Sequence, residues 1–271
     1  MVRVVEARMN YSLESQFVLG SIRWALVILF LLIWEGGAQL GVIDTYYFSN
    51  PIDIASNVYT WGLQGMLGEH LFVTLSQAAV GFLVGLVLGT LLGFLFAINK
   101  TVDEVLQPFI VVMNAMPRIA FAPLIILWFG LGFLSKVVIV VSLVFFVVFF
   151  NTYRGFKEIN PILLKNARVL GASKKQVIQH VYFPAALSWI FASLRVSVGF
   201  AVIASVLGEY IGASAGIGYL IDNAQSNFDA TGVMSGLAIL TIVVAVIDYF
   251  LQKVERRYSA WNDLAEIRGG I

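Results

Sequence analysis

Three places in this sequence carry residue types that could do chemistry. Arg118 follows Pro117 directly in NAMPRIAFAPLIILWFGLG, with Asn114 just before and Pro123 just after. Glu209 lies in GEYIGASAGIG at the end of a long apolar run. The third is NARVLGASKKQVIQHVYFP, Asn166 to Pro184, a charged stretch set between two apolar runs. Ionisable groups in apolar spans are costly in lipid and face a bundle interior or an interface. For Arg118 the sequence leaves two readings open, lining the path of an anionic solute or serving as a structural partner. Arg195 and Glu209 stand fourteen positions apart, about four helical turns, so both are expected near opposite ends of one span, reaching water. Glu209 is also a candidate for the path.

The chemistry of an enzyme is missing. No G-x-x-x-x-G-K-[ST] loop occurs, and GASAGIG lacks both the lysine and the strand-to-helix setting of a phosphate loop. His70 and His180 have no second ligand at metal spacing and are placed at the membrane boundary. There is no cysteine, which excludes disulfides and thiolate sites. We expect no catalytic residue, no bound metal or cofactor and no nucleic-acid partner.

The elements that must position these residues follow from composition. Of 271 residues 59% are hydrophobic and 12% charged, and apolar runs recur at Arg23–Leu40, Leu71–Ile98, Leu106–Phe129, Val137–Phe150, Ala185–Ile211 and Val233–Phe250. Most reach the ~20 residues needed to cross a bilayer, and the fourth extends naturally over Leu134–Tyr153, so six transmembrane helices are expected. The first has no small-x-small cleavage site and reads as a retained helix. Lys and Arg crowd both ends and the fourth-to-fifth connection, while Gly41–His70 and Gly212–Gly232 hold none, which places both termini in the cytoplasm. Gly81, Gly85, Gly89 and Gly93 strip one helix face of side chains, so another helix can approach closely. Pro117 and Pro123 should kink or unwind the third span, and irregular backbone at that depth survives only in protein or beside a watery cavity. A short helix from Pro51 to about Gly65 is expected in the first outer loop.

The charged stretch has helical periodicity. Leu163, Leu164, Ala167, Val169 and Leu170 alternate with Lys165, Asn166 and Arg168 as in a short amphipathic helix. Gly171 permits a turn, and Ser173 can cap a second helix that runs through Val181 until Pro184. A solvated basic loop would account for the charges but not for the apolar pattern.

NARVLGASKKQVIQHVYFPAALSWIFASLRVSVG resembles the cytoplasmic loop of binding-protein-dependent ABC importer permeases, whose pattern is Glu-Ala-Ala, a later Gly and a Leu-Pro beyond. In register, Lys165, Asn166 and Ala167 occupy the three opening positions, Gly171 the glycine and Phe183-Pro184 the Leu-Pro. PRIAFAPLIILWFGLGFLSK, GASKKQV, FPAALSWIFASLRVSVGFA and GEYIGASAGIGYLI are similar to the nitrate, taurine and alkanesulfonate branch. The resemblance covers roughly Ile22 to Arg257.

It implies an all-α membrane protein with the type I, MetI-like importer permease fold and a cytoplasmic coupling helix. The implied organisation is a cytoplasmic segment at 1–20, a transmembrane domain at 21–257 with coupling near 160–180, and a cytoplasmic tail at 258–271. The implied partners are a second copy of the permease, two cytoplasmic ATPase subunits carrying ATP and Mg, an extracytoplasmic substrate-binding protein and the bilayer of a bacterial cytoplasmic (inner) membrane. The coupling residues would be Lys165, Asn166, Ala167, Arg168, Gly171, Ala172 and Ser173, and the path residues Asn114, Pro117, Arg118, Pro123 and Glu209. Lys165 stands where the pattern has an acid, so docking would rely on shape around Ala167, Gly171 and Ser173. The implied cargo is a small anion such as a sulfonate, taurine or nitrate. The alternatives are a vitamin precursor or an aromatic carboxylate, and, outside this class, an ATP-independent secondary transporter.

Overall fold

The computed structural model describes the backbone of residues 2–159 and 161–269, and side chains except at 2–17, 100, 161, 168, 174, 183–188, 191–192 and 254–269. The described backbone is helical, without strands. Its elements are α1 (Val2–Gln39), α2 (Thr45–Phe48), α3 (Pro51–Leu63), α4 (Met66–Ile98), α5 (Lys100–Ala115), α6 (Ala122–Phe129), α7 (Phe133–Lys157), α8 (Pro161–Val169), α9 (Lys174–Val177), α10 (Phe183–Ile211), α11 (Ile217–Ser226) and α12 (Ala230–Gly269).

Five stretches are long and apolar enough to cross a membrane, in α1, α4, α7, α10 and α12. The sixth is divided: Thr101–Ala115 and Arg118–Phe129 meet at a bend of 80°. The expected proline kink is thus a full break. Met116 and Pro117 leave the helical region, and Arg118–Phe121 resumes as a short 3-10 turn. Pro123 sits in the first turn of α6, where its missing N–H costs no hydrogen bond.

The centre of the bundle is the crossing of α4 and α7. A Cβ added at Gly81 would stand 2.5 Å from the Val140 side chain, one at Gly85 2.9 Å from Val144, and one at Gly89 2.8 Å from the Phe145 carbonyl oxygen. A Cβ at Gly93 would meet the Phe149 carbonyl oxygen at 2.8 Å and Thr152 at 2.9 Å. The expected small-residue face is therefore a seam at backbone contact. Val140, Val144 and Val148 are fully buried in it, and Ala201, Val202 and Ala204 of α10 close the third side. In contrast, over 18–33 α1 leaves its apolar side chains uncovered by the rest of the described chain.

The first outer loop folds as expected, with Asn50 capping α3 through the Asp53 N–H at 2.8 Å. Polar side chains hold it down: Ser49 shares a hydroxyl hydrogen bond with Thr231 at 2.8 Å, and the Asn57 amide donates to Ser235 at 3.0 Å.

One expectation is corrected here. The second short cytoplasmic helix does not stop at Pro184. It passes from α9 through a π-helical stretch, Ile178–Tyr182, directly into α10, because the wider turn admits the proline at the start of the next helix. The connection Gly212–Gly232 holds α11 over about half of its length. The backbone of α1 and α12 also runs helically past positions 20 and 257; the side chains of the two expected end segments lie almost wholly outside the described residues.

The seam makes a direct prediction. Gly89→Val should destabilise the protein by about 1–3 kcal/mol through overpacking, read as a lowered thermal midpoint in detergent. Gly68→Ala, on the same helix but in open space, should be neutral or raise the midpoint, because a helical alanine is favoured over glycine by roughly 0.5–1 kcal/mol.

Candidate functional site

The loop around Gly171 is built from two helix ends. α8 finishes in a left-handed turn at Gly171, φ +78, with the Ala172 N–H bonded to the Ala167 carbonyl at 3.0 Å. Glycine is used there because a Cβ disfavours that conformation. Two residues on, Ser173 opens α9: its hydroxyl accepts the Gln176 N–H at 3.3 Å, and the Gln176 side chain accepts the Ser173 N–H at 2.8 Å. This reciprocal box satisfies two donors that the helix start leaves open.

The turn therefore holds a defined shape. Lys165, Asn166, Gly171 and Ser173 are exposed, and Ala167 and Ala172 half-buried. The Arg168 side chain lies outside the described residues. Between them Val169 and Leu170 project at 86% and 84% exposure, an apolar tip on a polar base. The other face is anchored, with Leu164, Val181 and Tyr182 packed against Phe156 and Ile159 beside Phe94 and Ala97. The loop thus rests on the ends of both seam helices.

The break in the third span has its own chemistry. The last carbonyls of α5 have no partner further along the helix. Arg118 reaches back to them, its Nη2 donating to the Met113 oxygen at 3.2 Å, the Asn114 oxygen at 3.3 Å and Asn114 Oδ1 at 3.2 Å. Its guanidinium carbon lies 4.1 Å from the centre of the Phe146 ring, within cation–π range. Arg118 is thereby a cap, a role for which the sequence left room. Asn114, Pro117 and Pro123 are exposed around it. At its other end α5 is tied to α7 by Asp103, which accepts from the Tyr153 hydroxyl and pairs with Lys157.

Glu209 is placed differently from its expectation. At 1% exposure it neither reaches water nor faces an open surface of the described chain. Its Oε2 accepts from the Thr74 hydroxyl and the Gly218 N–H, both at 2.9 Å. Thr74 Oγ1 accepts the Ile217 N–H at 2.9 Å, and His70 Nδ1 the Gly216 N–H at 2.9 Å. Three successive N–H groups at the start of α11 thus find side-chain acceptors on α4 and α10, with a carboxylate at the helix's positive end. Gly216, φ +113, lies against the Glu209 carboxylate, so a side chain there meets both strain and collision. His70 is accordingly buried within the protein.

Two further charges take partners that the sequence reading did not assign. Lys136, 1% exposed, donates to the Leu131 and Gly212 carbonyls and joins the ends of α6 and α10. A lone lysine opening an apolar run was its only signal. Arg195 does not simply reach water, because it grips Asp248 of α12 through two hydrogen bonds, 2.7 and 3.2 Å. No group of His, Asp or Glu able to hold a metal occurs among the described residues.

The pattern of the binding-protein-dependent transport system inner membrane component matches residues 85–260. The chain belongs to this family. As a permease subunit of an ABC importer it is a membrane component rather than a catalytic enzyme. It is similar to the aliphatic sulfonates transport permease SsuC of Bacillus subtilis, 33% identical over 86% of this chain and 85% of that one. The formylaminopyrimidine transport permease ThiX of Halalkalibacterium halodurans is 31% identical over 87% of this chain and 93% of that one. A chain of the MetNI methionine ABC transporter, solved in inward facing conformations, aligns with a TM-score of 0.63 at 19% identity, covering 72% of this permease and 97% of that chain. The fold is therefore that of the MetI-like type I importer permeases.

The Glu209 cluster predicts that Thr74→Val strands the Ile217 N–H and removes a donor from the carboxylate. An unsatisfied buried group costs about 1–3 kcal/mol, so the thermal midpoint in detergent should fall, while Thr74→Ser should restore it.

Proposed function

We propose that this permease works as one of two identical subunits, driven by two cytoplasmic ATPase subunits that carry ATP and Mg, and receiving solute from an extracytoplasmic binding protein. Both termini lie in the cytoplasm of a bacterial cell in this reading, as the Lys and Arg distribution suggests. The single observation that carries it is the loop around Gly171. Its apolar tip at Val169 and Leu170 is exposed, while its base rests on α4, α7 and α10. A push at the tip is transmitted to three spans.

Ala167, Gly171, Ala172 and Ser173 set the shape that an ATPase groove receives, and Lys165, Asn166 and Arg168 flank it. ATP acts by stabilising one of two packings of the bundle, since a ligand shifts an equilibrium only through its differential affinity for the two states. The break between α5 and α6, with Asn114, Pro117, Arg118 and Pro123, forms a wall of the solute path. Glu209 is not part of that wall, because it is closed off by Thr74 and α11.

The cargo is a small organic anion of the sulfonate kind, supported by the likeness to the sulfonates permease and by the guanidinium at the break. A second reading, a pyrimidine-type vitamin precursor, draws on the comparable identity to the formylaminopyrimidine permease.

Gly171→Pro tests the coupling assignment. Proline holds φ near −65° and cannot adopt the +78° found here. The variant should insert and keep its helical content, yet solute-stimulated ATP hydrolysis by the assembled importer should drop at least tenfold. Hydrolysis at the wild-type level would remove the loop from the coupling mechanism.

A further inference from the structure

The helix that leaves the turn at Gly171 is not uniform. α9 is regular over Lys174–Val177, Ile178–Tyr182 is π-helical, and α10 resumes at Phe183. A π turn runs its bonds to the fifth residue and so holds one residue more than an α turn. Pro184 follows at once and has no N–H to return to a carbonyl one turn back, so the stretch is short of a backbone bond in either register. Ile178, Gln179 and His180 are exposed, and Val181 and Tyr182 half-buried. Few apolar contacts hold such a segment, and it opens at lower free energy than a core helix.

Both of its neighbours are firm. On one side the Ser173–Gln176 box and the bond from the Ala172 N–H to the Ala167 carbonyl fix the turn. On the other, Trp189 of α10 lies against Gly155 of α7, where an added Cβ would stand 2.5 Å from its ring. Beside the π stretch is a hollow of about 320 Å³ between α8 and α9, with Ala167, Gly171 and Ala172 on one side and Val177, His180 and Val181 on the other. The small side chains of the first wall leave the space open.

We propose that Ile178–Tyr182 is a joint at which α9 swings toward α8 and closes this hollow when the ATPase subunits bind ATP. The inference rests on the permease reading above and names how the contact turn moves. A hinge takes a few residues that absorb backbone change between firm bodies, and the π stretch supplies them. Closure sets Val177 and Val181 against Ala167 and Ala172, and removing that apolar surface from water stabilises a shut form. Pressure on the exposed tip at Val169 and Leu170 selects it. The turn and α10 then move relative to each other rather than as one rod.

The chain has no cysteine, so Leu163→Cys with Lys175→Cys directs spin labels to exposed positions of α8 and α9. The importer is assembled in nanodiscs with its ATPase and binding protein, with one labelled permease copy per complex. Double electron–electron resonance should show the label distance shorten by about 3 Å or more, half a helical turn, when a non-hydrolysable ATP analogue is added. Deletion of the exposed Gln179 takes out the extra residue and leaves a continuous α-helix with its flanks in phase. The deletion variant should keep its thermal midpoint and lose the shortening. The proposal is overturned if the wild-type distance is unchanged or grows, or if the deletion variant closes like the wild type. The wild-type measurement leaves the joint intact, so it decides without relying on the folding of the deletion variant. An unchanged wild-type distance together with loss of stimulated hydrolysis in Gly171→Pro removes the joint and leaves the coupling assignment. A shortened distance together with normal hydrolysis in Gly171→Pro keeps the joint and removes that assignment.

Discussion

The backbone contact between α4 and α7 is the constraint on which the rest of this permease depends. Gly81 to Gly93 covers twelve residues, about 18 Å of helix, and along that length the two helices stand too close for any side chain on the α4 face. Two helices in such contact move as one body. Immediately above the seam, His70 and Thr74 receive the start of α11. At its other end, Phe94 and Ala97 join Phe156 and Ile159 under the loop around Gly171. One strut therefore carries both the fastening of α11 and the loop around Gly171.

The divided span is the counterpart of that strut. Val105, Phe109, Val111 and Val112 of α5 are exposed, and the helix is fixed chiefly by polar attachments to α7, Asp103 at one end and Arg118 over Phe146 at the other. A segment with few buried apolar contacts opens at lower free energy than a core helix. The irregular backbone at Met116 and Pro117 thus sits where little apolar burial opposes its movement, next to the one guanidinium of the break. Rigid seam and lightly held divided span give the bundle a stiff part and a part that yields.

Polar groups in this protein mostly serve helix ends. Glu209, Thr74 and His70 cap α11, Lys136 joins the ends of α6 and α10, Arg118 caps α5, and Ser173 and Gln176 cap α9. The reason is the solvent: in a bilayer an unpaired N–H or carbonyl at a helix end has no water to turn to. Charged residues in the spans were read from the sequence as candidates for solute contact or for reaching water. Most are instead held by backbone.

Much of this architecture was legible from residue order, because the signals concerned are local. Apolar length marked the spans, the four-residue glycine spacing marked the seam face, Pro117 marked the break, and Gly171 with Ser173 marked the double turn. The fate of Glu209 was not legible, since its partners Thr74 and Gly218 lie 135 and 9 positions away and only the folded chain brings α4 and α11 to it. The same holds for Asp248, whose pairing with Arg195 spans 53 positions, and for α11, whose short pattern follows a glycine run that by itself reads as loop. Composition and periodicity determined which segments cross the membrane and where the backbone turns, because those depend on each segment's own contact with lipid and water. Which groups each charge is fastened to was decided by tertiary structure, because a buried charge takes its role from neighbours distant in sequence.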